Sequence, residues 1–288
     1  MNPSPERRAC DWLTTLQPAL TLVTDADLTA LNRFEDDLTC LLAVHPVGGD
    51  VGPGLRSERL RQIRTAAGAS GHLRLAVPFP HGGSGRPAVV QALMQFVCGY
   101  YDVDLRDSTG LGHGRLIAEH ASPAVRDQWV PRLLNGAVPG IAITEAHGGS
   151  QVHATRTRAA LSRDGTWTVT GMKTWISRLA EAAVFCLFFA GPDGKISAAV
   201  VDARSEGLTR VPFVPAGLSG WTWGELHLDQ VQVRPDDHRL ARQRADHHRP
   251  LLRRDQRGGA GCLHRTLTGQ PADAAGVPPQ RMAALAAG

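Results

Sequence analysis

Lysine is nearly absent. Of the 31 Lys and Arg residues in the 288-residue chain, only Lys173 and Lys195 are lysine. A nucleic-acid surface shows in sequence as a compact Lys/Arg stripe with interleaved aromatics. No such stripe occurs, aromatics make up 5% of the chain and the net charge is a modest +4, so nucleic-acid binding is set aside. The arginine bias, with 31 Gly and 19 Pro, fits a GC-rich coding sequence as well as it fits a function. Long apolar runs are missing too. The longest, Ala182–Ala190, falls well short of the about 20 residues that a membrane helix needs and reads as a buried strand. The opening MNPSPERRACDWL has charges but no apolar h-region and no small-residue cleavage site, which argues against a secretory signal. The five cysteines (Cys10, Cys40, Cys98, Cys186, Cys262) are scattered, with no CxxC and no Cys/His spacing of a metal site. The expectation is a cytoplasmic protein with reduced thiols, no metal and no membrane partner.

What is present divides in the middle. A chain of this length buries a full core as one large domain or two. Apolar residues Leu28, Leu31, Phe34, Leu38, Leu41 and Leu42 recur at three- and four-residue steps, so a helical region is expected from Ala9 to about Thr65, broken around His45–Asp50. Within it a helix is expected over Leu55–Ala67, ending at Gly68. Another is expected over Pro87–Tyr101. A third is expected over Ala124–Leu134, with Ser122 as its cap and Pro123 in its first turn. The Gly82–Gly85 run between them reads as a connector. After Gly136 the period falls to two. Strands are expected at Gly140–Thr144, at Arg156–Leu161 and Thr166–Thr170 around an Asp-Gly turn, at Ala183–Ala190 and Ile196–Asp202, and at Leu208–Val214 and Glu225–Val233. The fold class is therefore α+β: an N-terminal α-helical domain, 1–136, then an antiparallel β-domain, 137–240. Residues 241–288 keep no period and hold few large apolar side chains. They are expected to be irregular, disordered or translated out of frame.

Two stretches carry chemistry. Ile141–Ser150 reads IAITEAHGGS, where the adjacent Gly148 and Gly149 let backbone N–H groups approach an anionic ligand with no Cβ in the way. Gly171–Ser177 reads GMKTWIS and sets the Trp175 indole two residues from the Ser177 hydroxyl. On an extended segment both point to one face, as a flat heteroaromatic ligand needs. Glu145 is a carboxylate of catalytic type, but a capping contact is the preferred reading. His147 and His153 read as exposed loop residues. Trp221 and Trp223 read as core or edge-strand residues rather than a pocket cover.

In order and spacing these stretches resemble the flavin-dependent acyl-CoA dehydrogenases. The family's Thr-Glu-x-x-x-Gly-Ser signature appears at Thr144–Ser150. Its later blocks resemble Thr155–Ala159, Asp164-Gly165, Gly171–Ser177, Ala199–Asp202 and Val231–Pro235. Upstream, Ala76-Val77-Pro78 with Gly82–Gly85, and Asp127–Gly136, are similar to the family's helical region. The match spans about Leu55 to Leu240. The resemblance implies a helical domain, a β-domain and FAD held between the β-domain and a C-terminal helical bundle. It implies oxidation of the CH–CH group of an acyl thioester, carried by CoA or by an acyl-carrier protein, with electrons passed on to a flavoprotein acceptor. It assigns Ile141, Ile143, Thr144, Gly149, Ser150, Trp175, Ile176 and Ser177 to FAD, with Ser150 also facing the acyl substrate.

Two departures accompany it. Gln151 stands where the family usually has Asp. The family's bundle, which carries the catalytic base and builds the homo-oligomer, is not visible after residue 240, and no glutamate follows Glu225. No catalytic residue is named, and a monomer stays open. A non-catalytic flavin or acyl-thioester binding module, and a flavin monooxygenase of the same fold, remain as alternatives.

Overall fold

The computed structural model describes residues 8–16, 21–48, 52–105, 110–218, 220–234 and 237. Helices come first: α1 (Ala9–Leu16), α2 (Asp25–Val44), α3 (Pro53–Ala69), α4 (Ala88–Tyr100), α5 (Arg115–His120) and α6 (Pro123–Leu134). Strands follow: β1 (Val138–Ala142), β2 (Arg158–Leu161), β3 (Trp167–Ser177), β4 (Ala182–Ala190), β5 (Ile196–Asp202), β6 (Leu208–Phe213) and β7 (Trp223–Val233). The α+β class holds. The expected segment 241–288 lies outside the described residues.

Local chemistry sets the helix ends. Thr24 and Asp27 form a capping box at α2: the Thr24 hydroxyl accepts from the Asp27 N–H at 3.2 Å, and the Asp27 carboxylate accepts from the Thr24 N–H at 3.0 Å. The buried Glu35 carboxylate accepts from the first amides of α1, Ala9 at 2.7 Å and Cys10 at 3.0 Å, which have no partner inside their own helix. Ser122 caps α6 by accepting from the Val125 N–H at 3.4 Å, with Pro123 in the first turn as the sequence suggests. Helix α3 does not stop at Gly68. A Cβ there would stand 2.6 Å from the carbonyl carbon of Asn135, so Gly68 lets α3 meet the end of α6, and the left-handed turn falls at Gly71. The apolar stripe Leu31, Phe34 and Leu38 packs on Leu60, Ile63, Val90, Met94 and Val97 in one core.

The sheet runs β1-β4-β2-β3-β7-β6, with β5 on the other edge of β4. It is mixed rather than purely antiparallel. β1 pairs parallel to β4, Gly140 beside Phe185 and Ile141 beside Cys186, and β2 touches β4 in parallel at Arg158 and Ala190. The long connection from β1 to β4, which contains the β2–β3 hairpin, supplies the crossover that parallel pairing needs. Central β4 is buried along nearly its whole length, as its continuous apolar run requires. Two contacts fasten the sheet to the helices. Trp221 is 2% exposed in the helical core, and its indole N–H donates to the Asp104 carbonyl at 2.7 Å. The buried Arg64 guanidinium donates to the Leu133 and Ala137 carbonyls at 3.5 and 3.3 Å, which fixes the passage from α6 into β1.

Candidate functional site

Strand β1 ends at Ala142, two residues before the expected Thr144, and the chain then runs against β3 as a loop. The Thr174 N–H donates to the Thr144 carbonyl at 2.9 Å, and the Lys173 ammonium donates to the Ile143 carbonyl at 3.1 Å. The two stretches singled out in the sequence therefore lie side by side. Ile141, Ile143 and Thr144 are half-buried, whereas Gly149 and Ser150 are exposed.

Glu145 turns inward. One carboxylate oxygen accepts from Lys173 Nζ at 2.7 Å, from the Thr157 N–H at 3.0 Å and from the Thr157 hydroxyl at 2.7 Å; the other accepts from the Arg156 N–H at 2.7 Å. The Thr155 hydroxyl donates to the same carboxylate and accepts from Lys173 at 2.9 Å. Burial pushes the Glu145 carboxyl up. The donors from Lys173, Thr155, Arg156 and Thr157 outweigh it and hold the group well below the usual carboxylate range. Burial likewise pushes the Lys173 ammonium down, against the pull of Glu145. An ionised carboxylate engaged by its own chain on both oxygens is not placed to take a proton from a substrate. Glu145 closes the loop, as its preferred reading holds.

Beyond Glu145 the loop makes a tight bridge, with the Gly148 N–H donating to the Glu145 carbonyl at 3.1 Å. His147 folds back onto it: Nε2 lies 2.9 Å from the Ala154 carbonyl and Nδ1 3.5 Å from the Glu145 carboxylate. No group of His, Cys, Asp and Glu among the described residues could hold a metal ion. The N–H groups of exposed Gly149, Ser150 and Gln151 meet no acceptor among the described residues. A Cβ on Gly149 would stand 3.5 Å from the Thr144 methyl and one on Gly148 3.8 Å from the Gln151 Cβ, both ordinary contacts. The chain's own packing does not demand glycine at either position.

The other half of the site is a bulge. β3 slips register against β7 between Lys173 and Ile176, and Lys173 and Thr174 are buried in succession where alternation would send one of them outward. Trp175 takes the left-handed region at φ 56° and is 57% exposed, a conformation that costs a non-glycine residue on the order of 1–3 kcal/mol. The extended geometry expected to align Trp175 with Ser177 is thus interrupted at Trp175 itself. The indole packs edge-to-face on Phe213 at 4.9 Å and on Trp223 at 6.4 Å. Ser177 is half-buried opposite Trp223. Ile176 is 2% exposed in the core of the sheet, which leaves only its main chain to a ligand.

Lys173 was not singled out as a site residue, although the signal was available: it is one of two lysines in a chain that otherwise uses arginine. Phe213 and Trp223 as partners of Trp175 had no local signal, because β6 and β7 meet β3 only through tertiary pairing.

A family model described as acyl-CoA dehydrogenase, middle domain, matches residues 140–231. Over 182 residues, 61% of its length, the chain is 30% identical to a probable acyl-CoA dehydrogenase of Bacillus subtilis (strain 168), covering 30% of that relative. It is 34% identical over 130 residues to the glutaryl-CoA dehydrogenase of Desulfococcus multivorans, covering 43% of this chain and 33% of that one. The matched part thus spans about a third of each of these relatives. The crystal structure of a glutaryl-CoA dehydrogenase from Mycobacterium smegmatis in complex with FADH2 superposes with a TM-score of 0.62 at 20% identity, over 81% of this chain and 59% of that one, a likeness of fold. No described helix is long and apolar enough to cross a membrane.

Proposed function

We propose, for a chain that belongs to the acyl-CoA dehydrogenase family, that residues 141–177 form one wall of an FAD site serving an acyl thioester dehydrogenase. The observation that carries this reading is the Thr174–Thr144 hydrogen bond of 2.9 Å, which sets a loop of open amides beside an exposed indole. The residues suit the cofactor by type. The N–H groups of Gly149, Ser150 and Gln151 and the Ser150 hydroxyl offer donors to anionic oxygens. Trp175 offers a flat aromatic surface already fixed by Phe213 and Trp223. Ile141, Ile143 and the main chain of Thr144 and Ile176 would line the same wall, and the Ser177 hydroxyl would donate to a ring heteroatom. When bound, FAD supplies the hydride acceptor for the β-carbon of an acyl thioester. The chain's own part is to orient that cofactor and exclude water on one side of it.

The substrate in this reading is an acyl-CoA or an acyl-carrier-protein thioester, the setting is cytoplasmic, and a separate flavoprotein takes the electrons. One observation favours a second reading, a flavin-binding module without dehydrogenase activity: the carboxylate at the site, Glu145, is fully engaged and ionised. The test is an absorbance scan of the purified protein, an FAD titration, then anaerobic addition of acyl-CoA. FAD binding followed by bleaching of the flavin is the expected result. Binding without bleaching moves the assignment to the module, and no FAD binding overturns both.

A further inference from the structure

We infer that Lys173 and Glu145 are positioning residues: their buried pair, behind the wall, sets where the indole of Trp175 stands relative to the open amides of Gly149–Gln151, and only lysine suits position 173. The inference deepens the flavin reading and rests on it. The ammonium has three protons, and each finds an oxygen: the Ile143 carbonyl at 3.1 Å, the Glu145 carboxylate at 2.7 Å and the Thr155 hydroxyl at 2.9 Å. These belong to the loop after β1 and to the segment before β2, while Lys173 itself lies on β3. One cation thus joins the pieces that carry the candidate site.

The bulge follows from the same contacts. Lys173 is drawn inward to 0% exposure, and the next residue is held by its N–H to Thr144, so two consecutive side chains face in. The displaced residue is Trp175, thrown outward in the left-handed region. A buried ion pair is a weak way to add stability, because desolvation consumes much of its attraction. It is a good way to hold one geometry, since either partner alone is a buried, uncompensated charge. Arginine fails here for a geometric reason. Its guanidinium is planar and carries five donors in a fixed fork, whereas the site offers three convergent oxygens around a point charge with no exposed volume.

The test uses the full chain and FAD as probe. Lys173→Met with Glu145→Leu removes both charges together and is expected to fold, yet to bind FAD at least about tenfold more weakly by flavin fluorescence titration. Lys173→Arg keeps the charge and is expected to lose as much. Arg86→Met breaks a different, partly buried pair, that with Asp27 in the helical half, and is expected to leave the FAD Kd within about twofold. An unchanged Kd in the double variant, or full rescue by Lys173→Arg, overturns the inference. Thr155→Val removes one of the ammonium's acceptors and keeps the pair. It is expected to weaken FAD about threefold and decides the matter if the double variant does not fold. Where the wild-type chain binds no FAD, the flavin reading fails by itself, and the brace is judged by hydrogen exchange. Faster exchange at the Gly148, Thr157 and Thr174 amides in Thr155→Val supports it; unchanged exchange there overturns it.

Discussion

Two glycine runs, each beside an ion pair with a buried carboxylate, are used in opposite ways. In the run at Gly82–Gly85 the amides are consumed by the chain: Gly83 donates to Pro78 at 3.3 Å, Ser84 to Arg74 at 2.8 Å, Gly85 to Val77 at 2.9 Å and Arg86 to Leu75 at 2.9 Å. Arg86 then pairs with Asp27 at the start of α2. In the run at Gly148–Gln151 only Gly148 donates to an acceptor among the described residues, and Gly149, Ser150 and Gln151 are exposed. Its ion pair, Glu145–Lys173, stands beneath the loop and joins it to β3. Glycine content does not separate a loop that uses up its own amides from a loop that leaves them open. The destination of the backbone donors does, because each N–H must be paired by the protein, by water or by a ligand.

The largest expected effect breaks that comparison at its ion pairs. Glu145→Ala leaves the ammonium of Lys173 at 0% exposure with no counter-charge, and loss of one partner of such a pair costs about 3–5 kcal/mol. Arg86→Met should cost less, about 1.5–3 kcal/mol for a charged hydrogen bond. Asp27 keeps both bonds from Thr24, and Arg86 is already 28% exposed on its side chain. Urea denaturation of the two variants measures this. Equal losses would mean that the pair under the site is no more enclosed than the one in the helical half.

Acid should act on both pairs together. In Asp27, Glu35 and Glu145 burial pushes the carboxyl up, but donors outweigh it: Thr24 and Arg86 at Asp27, Cys10 and Tyr101 at Glu35, Lys173 and Thr155 at Glu145. All three groups titrate lower in the folded chain than in the unfolded one. Their contribution is complete above the unfolded values near 4 and is lost as pH falls from there toward the folded values. Tm should hold between pH 7 and about 5 and drop steeply below about 4. Glu145→Gln, which removes the most strongly shifted of the three, should flatten that drop relative to Arg86→Met. A Tm that stays level down to pH 3 would contradict the carboxylate directions.

Much of this molecule was legible where the physics is local. Helices α4 and α6, the Ser122 cap and the β4–β5 hairpin follow from periodicity and turn residues. The two stretches of the site were legible as a pair because their residue types already suggest a flat anionic ligand. Features set by distant partners were not. The parallel seat of β1 on β4 depends on where the chain returns after the β2–β3 hairpin. The bulge at Trp175 depends on contacts from Lys173 and Thr174 to residues about thirty positions earlier. Trp221 and Trp223 share a short sequence stretch, yet one completes the helical core and the other packs on Trp175.

The smallest expected effect on stability tests the glycines themselves. Gly83→Ala would place a Cβ 1.9 Å from the Val77 carbonyl oxygen, so backbone must shift, and overpacking of this kind costs about 1–3 kcal/mol. Gly149→Ala meets only the Thr144 methyl at 3.5 Å, with no left-handed backbone to strain. It should leave stability unchanged or raise it by about 0.4–1 kcal/mol, because alanine restricts the unfolded chain. FAD affinity should move the other way. Gly83→Ala, distant in sequence and bonded within its own loop, should keep its Kd once folded. Gly149→Ala adds a methyl group to the loop whose amides the proposal gives to FAD, and should weaken FAD by several-fold. Thermal melts and fluorescence titrations on this one pair of variants therefore separate a glycine needed by the fold from a glycine needed by a ligand. A Gly149→Ala protein that binds FAD as well as the wild type would return the second loop to the same class as the first.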